Sequence, residues 1–415
     1  MPRMRSVQDQ LAAVMSAVGP VAPLDVVLHD AMGAILAEDV AATLSVPPVA
    51  VAALDGYAVA AADVAPGGSA LPVAVDLRAA SVPGLRHVQG QAIRVASGAP
   101  LPWGADAVVP VEASDRGTAT VQLAGGVRPG QHVRLTGADV PAGQVVLRAG
   151  TRLGARQLAL AAAMGRGRLR VHPTPRVVLL AVGDELVEPP TKGPAPTSAG
   201  DGRVFEADGH GLEAAVRDAG AHAVRVGVLP DDRALLREAL EDQLVRADLV
   251  LIAGGLSELV HDPVKDVLAT LGGVRLDHVA MTPGPRHAFG SVGGELGRDR
   301  SIPLFALPGH PVAAQVAFEV FVRPALRQMA GHAEVFRPSV AAAVDTGWTS
   351  PPGLRQFVPA TVLGAPEEGY RATPLGDPAA PSILGLAQAN ALAVVPEADV
   401  VVHRGQVVHC MVLEG

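Results

Sequence analysis

The stretch LVLIAGGLSELVHDPVKDVL, residues 249–268, decides how the chain is read. Its first five residues form an unbroken apolar run. That is the pattern of a parallel strand covered on both faces, not the alternation of a strand with one wet face. A glycine pair closes the run, and DPVKDVLATLG continues with helical spacing. Between strand and helix lie Ser257, two acidic residues, a histidine and Lys265. An anion-binding strand end has this composition, and so does an ordinary turn.

Working outward, the same alternation repeats. RVVLLAVG, HAVRVGVLP and PLFALPG read as strands, and HGLEAAVRDAG, DDRALLREALEDQLVRA and PVAAQVAFEVFVRPALRQMAG as helices, with VRLDHVAMTPG and HAFGSV as further β runs. Strands alternating with helices predict a βαβ domain with a parallel sheet over roughly 174–331. A Pro/Gly/Ser-rich stretch at 189–202 interrupts it and is expected to be a mobile loop. Upstream, residues 7–40 read as helix, strand, helix, the second helix being AMGAILAEDV. From about 70 to 150 the chain turns to short β runs between Gly/Pro turns, a small all-β unit. TRLGARQLALAAAMG is helical again. Residues 332–415 return to short strands and predict a small β-barrel or sandwich.

Composition bounds the function. A length of 415 residues suits two to four domains, and 49% hydrophobic residues with only 3% aromatics predict cores of Val, Leu and Ala. A net charge of −8 argues against nucleic acid as a partner but leaves room for a local anion site. The single cysteine, Cys410, excludes a disulfide framework and a cysteine-cluster metal site and fits a reducing cytoplasm. No apolar run reaches the ~20 residues of a membrane span. Only two lysines occur, Lys192 and Lys265.

In an open parallel sheet, ligands bind outside the carboxyl ends of the strands. Here Gly183, Asp184 and Glu185 follow one strand; Gly254, Gly255, Ser257, Asp262 and Lys265 follow another. Arg286 and His287 sit in MTPGPRHAFG, and His310 follows PLFALPG. Glycines admit close backbone approach to an anion, carboxylates suit Mg²⁺, and Arg or Lys suit phosphate. Each has a bland reading as well: a turn at the glycine pair, a helix cap at Asp184 and Glu185, solvated loop histidines at His261 and His287, a rigid turn before the long helix at His310. Asp55-Gly56, in PPVAVAALDGYAV, reads on spacing alone as a hairpin turn. Four such loops at one sheet edge favour a site for a phosphorylated ligand and a divalent metal.

The ordered motifs resemble the MoeA family of molybdopterin molybdenumtransferases, which includes the C-terminal part of gephyrin. PPVAVAALDGYAV resembles PPFDNSAMDGYAV. RVASGAPLPWGADAVVPVE, VRLTGADVPAGQVVLRAG, AVGDELVEP, IAGGLSELVHDPVKDVL, MTPGPRHAFG and FALPGHPVAAQVAF resemble the family's further motifs in the same order. The resemblance implies a multidomain α/β plus β protein. Residues 1–45 with 140–173 would form a discontinuous N-terminal domain and 46–139 a β-rich dimer-contact domain. Residues 174–331 would form a molybdopterin-binding α/β domain like MoaB and MogA, and 332–415 a C-terminal β-barrel.

It further implies a homodimer in which Asp55 reaches the partner's site, and Mg²⁺-dependent insertion of molybdate into adenylylated molybdopterin with release of AMP. The molybdopterin adenylyltransferase would be a partner. Asp55, Asp139, Glu185 and Asp262 would be catalytic, Glu185 and Asp262 also binding metal. Ser97, Gly183, Asp184, Gly254, Gly255, Ser257, Lys265, Arg286, His310 and Arg355 would bind the pterin.

The chain also departs from the pattern. Ala52 replaces a serine, Ser97 stands in a threonine-glycine loop, and Glu206-Ala207-Asp208 replaces D-S/T-N. Thr282 and Pro285 stand where K-P-G-K-P has lysines, with Arg286 one position on as a replacement cation. Leu259 replaces a glycine, His310 the asparagine of P-G-N-P, Ala313 a serine, and Ser382 lies near but not at a C-terminal loop serine. Two alternatives therefore accompany the insertase reading: a diverged paralogue that binds pterin or nucleotide with weak or no insertion, and a scaffold protein.

Overall fold

The structure is a computed structural model that describes residues 4–81, 83–193, 200, 202–257, 262–293 and 301–413. Glu258, Leu259 and His261, and half of the expected loop at 189–202, lie outside the described residues. The chain divides into two compact units, one of residues 1–24 with 171–415, the other of residues 25–170.

In the first unit the run that opens the sequence reading is a strand, Leu249–Ala253, buried at all five positions. It lies inside a six-stranded sheet ordered His222–Leu229, Arg176–Val182, Leu249–Ala253, Ile302–Leu307, Arg286–Val292, Val274–His278. The first four strands are parallel and the last two pair antiparallel. Successive side chains of a strand point to opposite faces, and here both faces are covered. Val177, Leu179, Leu249, Leu251, Phe305 and Leu307 pack with Leu212 and Val216 of helix Asp208–Asp218 and with the long C-terminal helix. Val178, Leu180, Val250, Ile252, Leu304 and Ala306 pack with Leu236 and Leu240 of helix Arg233–Leu244 and with Val264 and Leu268 of helix Pro263–Thr270. Two-sided burial is why these strands carry no polar alternation.

The long helix predicted from residue 311 runs as Pro311–Ala317 and Arg323–Met329, joined by a π-helical segment, Phe318–Val322. The tail forms a closed five-stranded ring: Arg355–Ala365, Gly369–Pro374, Ser339–Val344, Val407–Val412 and Ala391–Val395, which pairs back to the first. The barrel alternative is therefore the observed one. Cys410 is buried in its core, and burial raises the thiol to a pKa of about 11. A short strand, Met281–Thr282, pairs parallel with Arg355-Gln356 and ties the barrel to the α/β sheet.

The second unit carries a five-stranded sheet ordered Ala107–Pro110, Gly56–Val59, Ala92–Val95, Ser69–Leu77, Thr120–Leu123. Two expectations fail here. AMGAILAEDV is not a helix: Gly33 takes a left-handed φ of +81°, and Ile35–Leu36 and Val40–Ala41 join small sheets. Sheet partners elsewhere in the chain outweigh a ten-residue local preference. Asp55-Gly56 is not a hairpin turn either. Val51–Ala52 pairs with Val133–Arg134, while Gly56–Val59 pairs with Ala92–Val95 and Ala107–Pro110. Among the described residues no helix is long and apolar enough to cross a membrane.

His287 corrects a third expectation. It is not a solvated loop histidine but is 3% exposed, on the strand Arg286–Val292. Its ring packs edge-on against Phe321 at 5.4 Å, and its Nε2–H donates to the Gly284 carbonyl at 2.7 Å. Burial lowers its pKa to about 4, opposed by that carbonyl and by Asp277 across the sheet. The unfolded chain thus binds a proton below pH ~6.5 that the folded chain refuses until about pH 4. Stability is complete above pH ~6.5 and falls by about 3 kcal/mol across that window. Replacing the ring by His287→Gln should flatten this acid limb of the denaturant midpoint against pH, beside some loss of packing at all pH values.

Candidate functional site

The site is built on glycines that let strand ends approach closely. Gly254 and Gly255 both adopt left-handed φ values, +95° and +68°. A Cβ on Gly254 would stand 2.6 Å from the Val182 carbonyl oxygen, and one on Gly255 would overlap the Val264 side chain. Gly309 packs so closely on Gly254 that a Cβ there would lie 3.1 Å from the Gly254 Cα. Gly284, at φ +72°, has Ala313 and Pro308 against it. A side chain at Gly254 would strike backbone, at Gly255 or Gly284 would strike a neighbouring side chain, and at Gly309 would press on the Gly254 Cα. The winding reverses at Arg176–Val182: the chain runs next to His222–Leu229 on one side and then returns to Leu249–Ala253 on the other. Such a switch point opens a crevice at the carboxyl ends, and the loops after residues 182 and 253 flank it.

Carboxylates gather there. Asp231 N–H donates to Asp184 Oδ1 at 3.1 Å, and Asp184 N–H donates to Asp231 Oδ2 at 3.4 Å. Glu185 lays its carboxylate over the Gly183 Cα, where a Cβ would come within 2.6 Å of it. Burial and then the like charges of Asp184, Glu185 and Asp262 raise the Asp231 pKa. Asp262 is 3% exposed and acts as a clasp. Its Oδ1 accepts the Lys265 N–H at 3.0 Å, capping helix Pro263–Thr270, and its Oδ2 accepts the Ser257 N–H at 2.7 Å. The Lys265 ammonium donates to the Ser257 carbonyl. The Arg286 guanidinium donates to the Leu256 carbonyl at 3.3 Å. The loop thus binds two cations through its carbonyls.

The structure therefore brings together Gly183, Asp184, Glu185, Gly254, Gly255, Ser257, Asp262, Lys265 and Arg286. His310 is exposed at the N-cap of the helix that Pro311 opens, beside Gly309. The rigid-turn reading holds for that segment. Asp184 and Glu185 cap no helix, because a two-residue strand, Leu186–Val187, follows them. Arg355 instead pairs with Glu397 at 3.1 Å. In the second unit, Asp55 Oδ1 accepts the Ser97 N–H at 2.7 Å, and Asp139 pairs with Arg134.

Asp231 escaped the sequence reading. The sequence reading opens the following helix at Asp231-Asp232, yet only Asp232 caps it, accepting the Leu235 N–H at 2.9 Å. The strand-end rule that found Asp184 would have found Asp231 too.

A second cluster lies at Glu206-Ala207-Asp208. Arg225 bridges Glu188 at 2.6 Å and the buried Glu206 at 3.3 Å, and His210 Nε2 meets Glu188 at 3.2 Å. Oxygens of the two glutamates and a ring nitrogen of His210 lie within 4.8 Å of one another, a spacing open to a metal ion. The guanidinium already answers both carboxylates, so the cluster is an ion-pair network. Asp208 has no such partner. Burial, then Glu206, raises its pKa to about 7.

Comparison with known proteins now decides the family. The model described as MoeA N-terminal region (domain I and II) matches residues 5–165, that for a probable molybdopterin binding domain 178–328, and that for the MoeA C-terminal region (domain IV) 341–413. Molybdopterin molybdenumtransferase 1 of Mycobacterium tuberculosis is 38% identical over 428 residues, covering 98% of each chain. Molybdopterin molybdenumtransferase 2 of the same organism is 38% identical over 412 residues, 97% of this chain and 98% of that one. The chain belongs to the MoeA family. A solved molybdopterin biosynthesis MoeA protein from Pyrococcus horikoshii superposes with a TM-score of 0.83 at 26% identity over 100% of both chains. MoeA membership accounts for the multidomain architecture and is the background against which the departures from the family pattern stand.

Asp208 is one of them, standing where the family pattern has asparagine. Its folded pKa lies above its unfolded one, so the native state is unpenalised while Asp208 stays protonated. Stability is then lost as pH rises from about 4 to about 7. Asp208→Asn should raise unfolding free energy at pH 8 by roughly 2–4 kcal/mol and give no gain at pH 4. Denaturant titrations at the two pH values measure it.

Proposed function

We propose that the chain inserts molybdate into the dithiolene of adenylylated molybdopterin, with AMP released. The observation that carries this is the crevice: four carboxylates on three strand ends around a glycine-lined opening in a MoeA-family chain. Clustered acidic oxygens are hard donors, and like charges so close call for a cation. The donor set fits Mg²⁺, held by Glu185 and Asp262 with Asp184 and Asp231 beside them. Each Asp262 oxygen accepts one backbone N–H and keeps lone-pair capacity. The ion would supply charge neutralisation at the substrate phosphates.

The protein's own groups have separate tasks. Gly254 and Gly255 leave the strand end bare of side chains where a phosphate would approach, beside the Ser257 turn that Asp262 clasps. Lys265 and Arg286 supply positive charge where Thr282 and Pro285 leave none. Glu185 is the carboxylate with the fewest structural duties and is assigned to orient the attacking water. The active form is a homodimer, and Asp55 with Ser97 comes from the second copy. Arg355, His310 and Asp139 are assigned to the pterin and its support on the family pattern alone, Arg355 being paired with Glu397 and Asp139 with Arg134. A pterin-binding paralogue without insertion remains the second reading, favoured by Thr282 and Pro285 in place of lysines.

Activity in trans separates these readings. Asp55→Ala and Asp262→Asn chains should each fail to restore molybdoenzyme activity in a strain lacking the insertase. Asparagine can keep the helix cap but not both clasp bonds, so an unchanged melting temperature is the control that lets the failure be read as loss of charge. Co-expressed, the two variants should restore activity, because a mixed dimer assembles one site with both carboxylates intact. No recovery on mixing would refute the shared site. Failure of the unaltered chain, with tight binding of adenylylated molybdopterin by calorimetry, would establish the paralogue reading.

A further inference from the structure

A groove in the second unit includes Asp55 but also carries arginines to which the proposed insertion reaction gives no task. It is lined by Asp55, Asp76, Arg78, Arg94 and Arg116 among others, with a volume of about 440 Å³. The three arginines come from three separate segments. Arg94 lies on the central strand Ala92–Val95, in register with Tyr57 on one side and Asp76 on the other. Arg78 follows the strand Ser69–Leu77, and Arg116 follows the 3₁₀ turn Val111–Ala113. Three arginines against two aspartates leave the groove at +1 in a chain of net charge −8.

The charges are not consumed by ion pairs. Arg94 stands 3.9 Å from Asp76, with both side chains exposed, which is a weak contact in water. Among the described residues neither Arg78 nor Arg116 has a carboxylate within ion-pair distance.

Arg116 is also held there deliberately by its neighbours. Its φ is +62°, the left-handed region that a long side chain rarely adopts. Ser114 Oγ accepts the Arg116 N–H at 3.1 Å. Asp115 Oδ1 accepts the N–H groups of Gly117 and Gln122 at 3.0 and 2.9 Å. The fully buried Tyr57 donates its hydroxyl to the Gly117 carbonyl at 2.9 Å. That tyrosine belongs to the Asp55-Gly56-Tyr57 motif itself, so one motif supplies a carboxylate to the groove and fixes the turn that supplies an arginine.

We propose that this groove is an oxyanion site, taking a tetrahedral dianion such as molybdate or a phosphate monoester and holding it beside Asp55. Planar guanidinium forks match such oxygens in pairs, and three of them leave the bound dianion with charge-assisted hydrogen bonds on several sides. The proposal rests on the groove alone and not on the insertase reading, since the anion can be measured without turnover.

The test is calorimetric titration of the full-length protein at low ionic strength with sodium molybdate, inorganic phosphate and AMP in separate arms. Arg116→Gly suits the +62° backbone and should leave the melting temperature unchanged or higher. Arg78→Gln changes an exposed side chain. Each is expected to weaken binding of the preferred anion about tenfold, and Arg78→Lys to recover part of the loss. Preference for molybdate identifies the metal oxyanion as the ligand, and preference for phosphate or AMP identifies a phosphate group; either supports the site. Absence of binding to the unaltered protein, or binding that survives both Arg116→Gly and Arg78→Gln, overturns it.

Discussion

The approach of Gly309 onto Gly254 is the constraint on which the rest of the crevice depends. A Cβ on Gly309 would press on the Gly254 Cα, and one on Gly254 would strike the Val182 carbonyl, so both strand ends stay bare. Gly254 and Gly255 are left-handed, a conformation that L side chains rarely adopt. Beside them the Leu256 and Ser257 carbonyls are presented to Arg286 and Lys265, and Asp262 caps its helix. Below it, a sheet buried on both faces keeps the strand ends from drifting.

Electrostatics then sets what the crevice accepts. Burial, and then the like charges of Asp184, Glu185 and Asp262, raise the pKa of Asp231, while Lys265 and Arg286 are anchored on the Ser257 and Leu256 carbonyls. The crevice thus carries both signs of charge. A ligand that is itself anionic and arrives with a cation satisfies both sides. The ion-pair network at Glu188, Glu206 and Arg225 is the opposite case, with its charges answered internally.

Much of this was legible in the sequence where one physical rule dominated. Unbroken apolar runs gave the doubly covered strands, and glycines with charge at their ends gave most of the crevice. Legibility failed where a residue had two candidate partners. AMGAILAEDV carries helical spacing, but long-range strand pairing claims it. Asp231 sits next to a true cap, and the pair was read as one feature. His287 looked like a loop residue because burial comes from Phe321, thirty-four positions away in the chain. Arg355 matched by order along the chain, yet its side chain is engaged by Glu397, a pairing no local pattern encodes.

The near-absence of lysine turns Lys265 into a built-in reporter. Beyond the α-amino group, an amine-selective reagent has only Lys192 and Lys265 to find. Lys265 rests its ammonium on the Ser257 carbonyl. Its labelling rate, followed residue by residue in a mass spectrometer, therefore reads how firmly that contact holds. Chemistry that is hopelessly promiscuous on an ordinary protein becomes site-directed on this one without any engineered residue.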